Sequence, residues 1–199
     1  MKFLAIDTSA SRLTVVAVNG ETAVKYTGDE CAQRHSVELM PQIENALERA
    51  HMRADECDFF ACVVGPGSFT GIRIGIATVK GLCLALGKPA LAITSFETLA
   101  YAETGKRLAL VGAGHGNYYA CAYGEHGEEI APAFLSGEQT QVLVNEGYTP
   151  LCADGTYPTA HTADVAEGLL RAATAKSKTG FSGALEALYL RKSSAEEKR

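Results

Sequence analysis

A glycine-rich stretch placed between an apolar run and a long apolar segment constrains the fold most. Residues 59–64 have the character of a buried strand, residues 65–75 read GPGSFTGIRIG, and the pattern predicts a helix over residues 70–86. Glycines at such a junction allow tight turns and direct backbone amides outward, as an anion site requires. The junction therefore predicts an α/β fold with a candidate loop at a helix start.

The loop misses the common phosphate-binding motifs. A P-loop needs Lys-Ser/Thr after its last glycine, but Ile72 and Arg73 follow Gly71, and the spacing from Gly67 is one residue too long for the Rossmann fingerprint. Contact with phosphate and a tight structural turn both stay open, and the residues favour the turn. We expect at most weak binding of ATP or ADP. The candidate residues are Asp7, Gly65, Gly67, Ser68 and Gly71.

Asp7 closes the first predicted strand and precedes Thr8 and Ser9. In actin-like nucleotide-binding folds, an acidic residue at this place can face a metal and phosphate, but the glycine that usually follows it is absent. The alternative is a turn in which these side chains bond the local backbone. Both interpretations remain open.

Strand and helix patterns repeat along the chain. The first half predicts strands at 2–7, 13–19, 22–27, 59–64 and 90–94 and helices at 35–50, 70–86 and 96–102. The pair Asn19-Gly20 predicts a hairpin. The second half predicts strands at 107–111, 118–123, 128–134 and 150–153 and helices at 139–145 and 163–175. The repeated order predicts two lobes, 1–103 and 104–199, each a mixed β-sheet flanked by helices, with a charged tail over 191–199.

The two long helices predict a partner surface. The first has a single apolar stripe, Leu39, Ile43, Ala46, Leu47 and Ala50. The second is apolar around most of its circumference, which fits either a core helix or one that also packs on a partner chain. Its Arg73 and Lys80 share one stripe that should face outward, because burying unpaired charge is costly. Ile76 flanks that stripe and Met40 lies beside the first, so we expect both at an interface.

His35 precedes Ser36, a plausible helix N-cap. A lone histidine at a helix start is more often a local hydrogen-bonding residue than a ligand. The sequence has no H-E-x-x-H, no H-x-x-x-H and no other convincing metal or nucleophile–base spacing.

Charge and cysteine usage narrow the function classes. The formal net charge is −5 without a Lys/Arg cluster, so we expect little RNA binding by the chain alone. Six cysteines without C-x-x-C spacing predict free, mostly buried thiols in a reducing compartment. The first apolar run ends at Asp7, too short for a signal peptide, and no stretch approaches the roughly 20 apolar residues of a membrane helix. We expect a cytoplasmic protein without membrane association.

Four motifs resemble the TsaB (YeaZ) family, which takes part in forming N6-threonylcarbamoyladenosine (t6A) in tRNA. They are the opening LAIDTSA, His35-Ser36 with Leu39-Met40-Pro41, GPGSFTGIRIG, and Tyr189-Leu190-Arg191. The glycine block is highly specific, whereas the others are individually weak but agree in order and spacing. The resemblance covers essentially the whole chain and implies a two-lobed actin/Hsp70-like (ASKHA) fold.

The resemblance also implies a role. It implies a non-catalytic scaffold that binds the catalytic paralogue TsaD, acts with the ATPase TsaE, meets tRNA only through the complex, needs no cofactor, and self-associates through its first two long helices. The H-x-x-x-H motif of TsaD is missing from the corresponding stretch, 92–99. On the two helices we take these residues as the partner interface: His35, Val37, Met40, Arg73, Ile76 and Lys80.

One departure and two alternatives complete the prediction. The family's usual Asp-Ala-Arg near the first strand of the second lobe is Gly112-Ala113-Gly114 here, so no role of that Asp or Arg carries over. A metal-dependent glycoprotease-like peptidase is disfavoured by the missing ligand set. An actin-like small-molecule kinase or ATPase is disfavoured because no glycine follows Asp7 and only Asp154-Gly155 offers a second phosphate loop.

Overall fold

The first sheet is built around a central strand that pairs in both directions. The computed structural model describes residues 1–29 and 34–190. The strands have the order β3-β2-β1-β4-β5, with β1 antiparallel to β2 and parallel to β4. Their bounds are β1 Lys2–Asp7, β2 Thr14–Asn19, β3 Thr22–Thr27, β4 Phe59–Val63 and β5 Ala90–Ile93. The predicted hairpin is confirmed, with Gly20 at φ +64° in its two-residue turn.

The second sheet repeats this pairing. Its order is β10-β9-β6-β7-β8, with β6 antiparallel to β7 and parallel to β9. The strands are β6 Arg107–Gly114, β7 Asn117–Gly124, β8 Gly127–Ser136, β9 Thr149–Cys152 and the unpredicted β10 His161–Thr162. The prediction of two mixed sheets flanked by helices is therefore confirmed.

The helices alternate with the sheets as layers. They are α1 His35–Arg49, α2 Phe69–Leu86, α3 Ser95–Ala100, α4 Gly137–Asn145 and α5 Val165–Lys176, with a 3-10 turn at Ala54–Glu56. Because strand side chains alternate in direction, Leu4 and Ile6 of β1 pack toward α1 and α2, whereas Phe3 and Ala5 pack toward α5. Helix α3 covers the near face of the second sheet and α4 the far face. Helices α3 and α5 thus lie between the sheets.

The start of α1 differs from the prediction. The helix begins at His35 with Arg34 at the N-cap and no side-chain cap bond, so Ser36 lies inside the first turn and does not cap it. The predicted apolar stripe of this helix is buried as expected.

The chain returns to the first sheet after completing the second. Helix α5 packs on β1, β2 and β5, although it belongs to the predicted segment 104–199. A strap, residues 181–190, follows along the edge of β5, where Ser182 accepts a bond from the Ala92 amide (2.8 Å) and donates to the Ala90 carbonyl (2.9 Å). Leu185 of the strap is buried in the core beside α2, and the Leu188 amide donates to the Val64 carbonyl (2.8 Å). The predicted tail at 191–199 lies outside the described residues.

Helix α2 corrects the expectation about membrane segments. It is long and apolar enough, by length and composition, to span a bilayer. The core helix of a protein outside membranes can be equally long and apolar. In α2, Ile72, Ile76 and Val79 belong to the hydrophobic core that α1 also contributes to. The composition alone is therefore weak evidence for a membrane.

The cysteines in the described part of the chain are free, as predicted. Cys57, Cys62, Cys121 and Cys152 are buried and Cys83 is half-buried, whereas Cys31 lies outside the described residues. Burial raises the pKa of Cys57 to about 11 and those of Cys62 and Cys121 to about 12. These thiols are accordingly structural rather than reactive.

Replacement of Gly168 by alanine should destabilise the fold. A Cβ there would lie 1.7 Å from the Thr98 carbonyl oxygen, so α5 and α3 would have to separate. We expect a loss of about 2 kcal/mol in the free energy of unfolding, measured by denaturant titration.

Gly81→Ala is the matched control. Nothing lies within 4 Å of a Cβ at this helical glycine, so alanine should be neutral or stabilise by up to about 1 kcal/mol. Equal effects of the two changes would contradict tight packing between α3 and α5.

Candidate functional site

A cleft of about 290 Å³ opens between the two sheets. It forms where the end of β1 and the loop after β4 face the ends of β6 and β9. These strands occupy corresponding positions in the two sheets, which have equivalent strand orders. Residues from both lobes line the cleft. They include Asp7, Ser9, Ser11, Gly67, Ser68, Ser95 and Thr98 from the first lobe and Gly112 and Asp154 from the second. Such a crevice at strand ends is where open α/β folds usually place ligands.

Asp7 is buried in the wall of this cleft. The amide and hydroxyl of Ser9 both donate to its Oδ1 at 2.7 Å. Desolvation of the carboxylate raises the pKa of Asp7, although these bonds and nearby His35 act in the opposite direction. The side chain thus fits the local turn that the sequence left open, while remaining at a ligand-sized cavity.

The glycine-rich loop is held by hydrogen bonds to other residues of the protein. The Ser68 amide donates to the Ser9 carbonyl (2.7 Å), and the Gly71 amide donates to Ser68 Oγ (3.2 Å) as part of the N-cap of α2. Ser95 Oγ donates to the Pro66 carbonyl (2.6 Å). Because these amides already have acceptors, they are not available to an anion, and the structural-turn interpretation fits them better.

The candidate nucleotide residues divide between the cleft and the core. Asp7, Gly67 and Ser68 line the cavity. Gly65 and Gly71 do not: a Cβ at Gly65 would lie 2.9 Å from the Leu188 carbonyl oxygen, and one at Gly71 would lie 1.9 Å from that of Thr8. Both positions therefore need glycine for close packing within the chain.

A second feature is the outward face of α1 and α2. Val37 is 69% exposed and Leu84 88% exposed, and Met40 is also exposed. Arg73 and Lys80 point outward, as predicted. Both helices cover the same face of the first sheet, so they form one surface with aliphatic and cationic side chains.

Two predicted interface residues are not exposed. Ile76 is only 9% exposed, because the strap adds a second buried side to α2 and brings Leu185 into the same core. His35 is buried with its Nε2 3.3 Å from the carbonyl oxygen of Ser11, a residue of the loop after β1, so its contact is with a distant segment and not with the helix start as expected. Among the described residues its Nδ1 has no hydrogen-bond partner.

Sequence reasoning missed Ser95 and Thr98 in the cleft and Phe69 and Tyr189 beside Arg73. The available signal for the first pair was their place after β5, since the ends of parallel strands share one sheet edge. Within residues 1–29 and 34–190, no three His, Cys, Asp or Glu side chains are grouped to hold a metal ion.

Comparison of the sequence identifies relatives in tRNA modification. Residues 26–147 match the family described as "TsaD: tRNA N6-adenosine threonylcarbamoyltransferase". The chain is 31% identical over 163 residues to the tRNA threonylcarbamoyladenosine biosynthesis protein TsaB of Escherichia coli K12, covering 75% of this chain and 70% of that protein. It is 35% identical over 100 residues to TsaB of Bacillus subtilis 168, covering 50% of this chain and 44% of the relative, so that match spans less than half of the Bacillus protein.

Solved structures support the fold. YeaZ from Pseudomonas aeruginosa superposes with a TM-score of 0.78 at 24% identity, covering 94% of this chain and all of that one. A Pseudomonas aeruginosa protein described as similar to peptidase YEAZ gives 0.81 at 24% identity, with 96% and 99% covered. The two-lobed arrangement is therefore shared with these proteins.

The raised pKa of Asp7 predicts that Asp7→Asn stabilises the protein near neutral pH. The folded-state pKa exceeds the unfolded value, so the carboxylate lowers the stability as the pH rises from the unfolded pKa to the folded pKa; the loss is complete above the folded pKa and absent below the unfolded one. We expect the variant to melt a few degrees higher at pH 7 and equally near pH 3.

Asp154→Asn, an exposed acid at the same cleft, is the control and should change little. Thermal melts across this pH range provide the measurement. A variant less stable than the wild type at pH 7 would mean that the ionised carboxylate of Asp7 stabilises the folded state, and would contradict this prediction.

Proposed function

The chain belongs to the TsaB (YeaZ) family, and from this membership we propose that it is a non-catalytic activating subunit of t6A formation that binds the catalytic paralogue TsaD. The relatives in Escherichia coli and Bacillus subtilis are named for threonylcarbamoyladenosine biosynthesis. The paralogue's own family profile matches residues 26–147, which supports a shared ancestry for the two subunits.

The exposed face of α1 and α2 carries the proposal. Val37, Met40 and Leu84 present large aliphatic side chains to solvent on adjacent helices. Methionine and arginine are enriched in protein–protein interfaces relative to the rest of a protein surface. Arg73 and Lys80 supply such charges at the same surface.

Internal bonding of the glycine loop supports a role other than phosphate chemistry. The Ser68 and Gly71 amides are used within the chain. No lysine follows the loop as in a P-loop. We therefore propose that no cofactor is required and that ATP or ADP binds weakly.

The peptidase alternative has less support. The word peptidase in the description of one Pseudomonas structure concerns that protein alone. A metallopeptidase needs grouped ligands and a bound water, and the described residues contain no such group.

Partners and location follow from the same proposal. A TsaE-like ATPase would join the complex, and two copies of the chain would associate where the paralogue is absent. A net charge of −5 favours contact with tRNA through the complex rather than by this chain alone. We place the complex in the cytoplasm, where its tRNA substrate is found.

Reconstitution tests the proposal directly. The isolated chain should form no t6A on tRNA, and its addition to the purified catalytic paralogue should raise t6A formation, measured by mass spectrometry of digested tRNA. Leu84→Glu should reduce association with the paralogue at least about tenfold, because it puts an unpaired charge in the contact surface. Activation should fall in parallel.

Val142→Glu is the matched control. Val142 is also an exposed aliphatic residue on a helix, but it lies on α4 beside the other sheet. Both variants should melt like the wild type. If the paralogue is equally active without this chain, the activating role is wrong.

Nucleotide affinity is tested by calorimetry on the isolated chain. We expect no sub-micromolar binding of ATP or ADP, because the loop amides have internal acceptors. Tight binding that Asp7→Asn abolishes would instead favour the actin-like ATPase alternative.

A further inference from the structure

Arg73 contacts two aromatic residues at the exposed start of α2. Its guanidinium carbon lies 3.7 Å from the centroid of the Phe69 ring, and its Nε donates to the Tyr189 hydroxyl at 3.3 Å. The two rings lie 5.1 Å apart at an interplanar angle of 30°. The three side chains thus form one cluster, which we call the arginine anchor.

Two separate parts of the chain build this anchor. Phe69 and Arg73 are one turn apart on α2, so their side chains lie on the same face. Tyr189 comes from the strap, which is fixed by the buried Leu185 and by the bond between Leu188 and Val64. The strap therefore positions the hydroxyl that orients the guanidinium.

The anchor is exposed and its charge is unmatched within the described residues. Phe69 is 39% exposed and Tyr189 43% exposed, and Arg73 is exposed as well. Across residues 1–29 and 34–190, no carboxylate forms a salt bridge with Arg73. Arginine and aromatic residues dominate the energetics of protein interfaces, above all where they are held in place before binding.

A shallow groove of about 460 Å³ lies directly beside the anchor. Its apolar floor is made by Ile76, Leu185 and Ala187, and its polar lining residues are Arg73, Lys80, Glu186 and Tyr189. The groove can take an aliphatic or aromatic side chain next to a group that pairs with the guanidinium. Arginine prefers carboxylates for such pairing, because its planar fork matches both oxygens.

We propose that the arginine anchor receives a carboxylate side chain of the catalytic paralogue, with a neighbouring apolar side chain of that partner in the groove. This assignment rests on the proposed function and names the chemistry that the partner must present. Arg73 makes the contact, and Tyr189 is a positioning residue that limits the freedom of the guanidinium before binding. The Tyr189 motif, otherwise remote from α1 and α2, thereby becomes part of the same surface.

Binding kinetics of the purified paralogue on the immobilised chain test the anchor. Arg73→Ala should weaken affinity at least about tenfold. Arg73→Lys should weaken affinity nearly as much as Arg73→Ala, because lysine keeps the charge but lacks the planar guanidinium that pairs with both carboxylate oxygens. Tyr189→Phe keeps the ring and should weaken binding about threefold, mainly through faster dissociation.

The double variant separates positioning from a general loss of packing. If Tyr189 acts through Arg73, Tyr189→Phe should have no further effect when Arg73 is already alanine. Lys106→Ala is the control: it removes an exposed lysine whose Nζ lies 5.2 Å from the centroid of the Tyr148 ring in the second lobe, outside the groove, and should leave affinity unchanged. Thermal melts verify that each variant is folded.

The outcomes distinguish this inference from the proposed function. If the wild-type chain does not bind the paralogue, both are wrong. If it binds and Arg73→Lys matches the wild type, or if the effects of Tyr189→Phe and Arg73→Ala simply add, the anchor is wrong and the proposed function stands.

Discussion

The close approach between the turn after β1 and the first turns of α2 fixes the rest of the first lobe. Thr8 Oγ1 donates to the Gly71 carbonyl at 2.7 Å, and the backbone of Thr8 and Ser9 occupies the space where side chains at Gly67 and Gly71 would lie. At Gly75 an added Cβ would meet Thr8 Oγ1 at 2.6 Å. Glycine at these positions lets α2 rest directly on the end of the strand, and this sets which side of the helix faces outward.

The close contact between the turn after β1 and the start of α2 lies between the cleft and the outer surface of the first lobe. The Ser68 and Gly71 amides have acceptors within the chain, so these two amides hold the junction between strand and helix together. On the outer side, the helix held by this joint presents Arg73 and Leu84 to solvent. One local packing arrangement thus shapes both the wall of the cleft and the outward face of the helix.

Local patterns predicted the parts of the fold that depend on neighbouring residues. The hairpin at Gly20 and the buried stripe of α1 follow from turn chemistry and helical spacing. Contacts between distant segments were beyond that reasoning. Ile76 flanks the outward stripe of α2 on a helical wheel, yet it is covered because the strap arrives from more than a hundred residues away. Gly65 and Gly71 could not be interpreted from local sequence for a related reason, since close backbone packing and anion binding both require glycine.

The return of α5 to the first sheet determines when the protein can be completed during synthesis. The strands of that sheet end at Ile93, but the helix that covers Phe3 and Val16 ends only at Lys176. A nascent chain that has been synthesised only as far as β8 therefore has all five strands of the first sheet, while the apolar face that α5 covers is still open to solvent. Until α5 emerges, that face is a place where chaperones, or a second nascent chain, can bind.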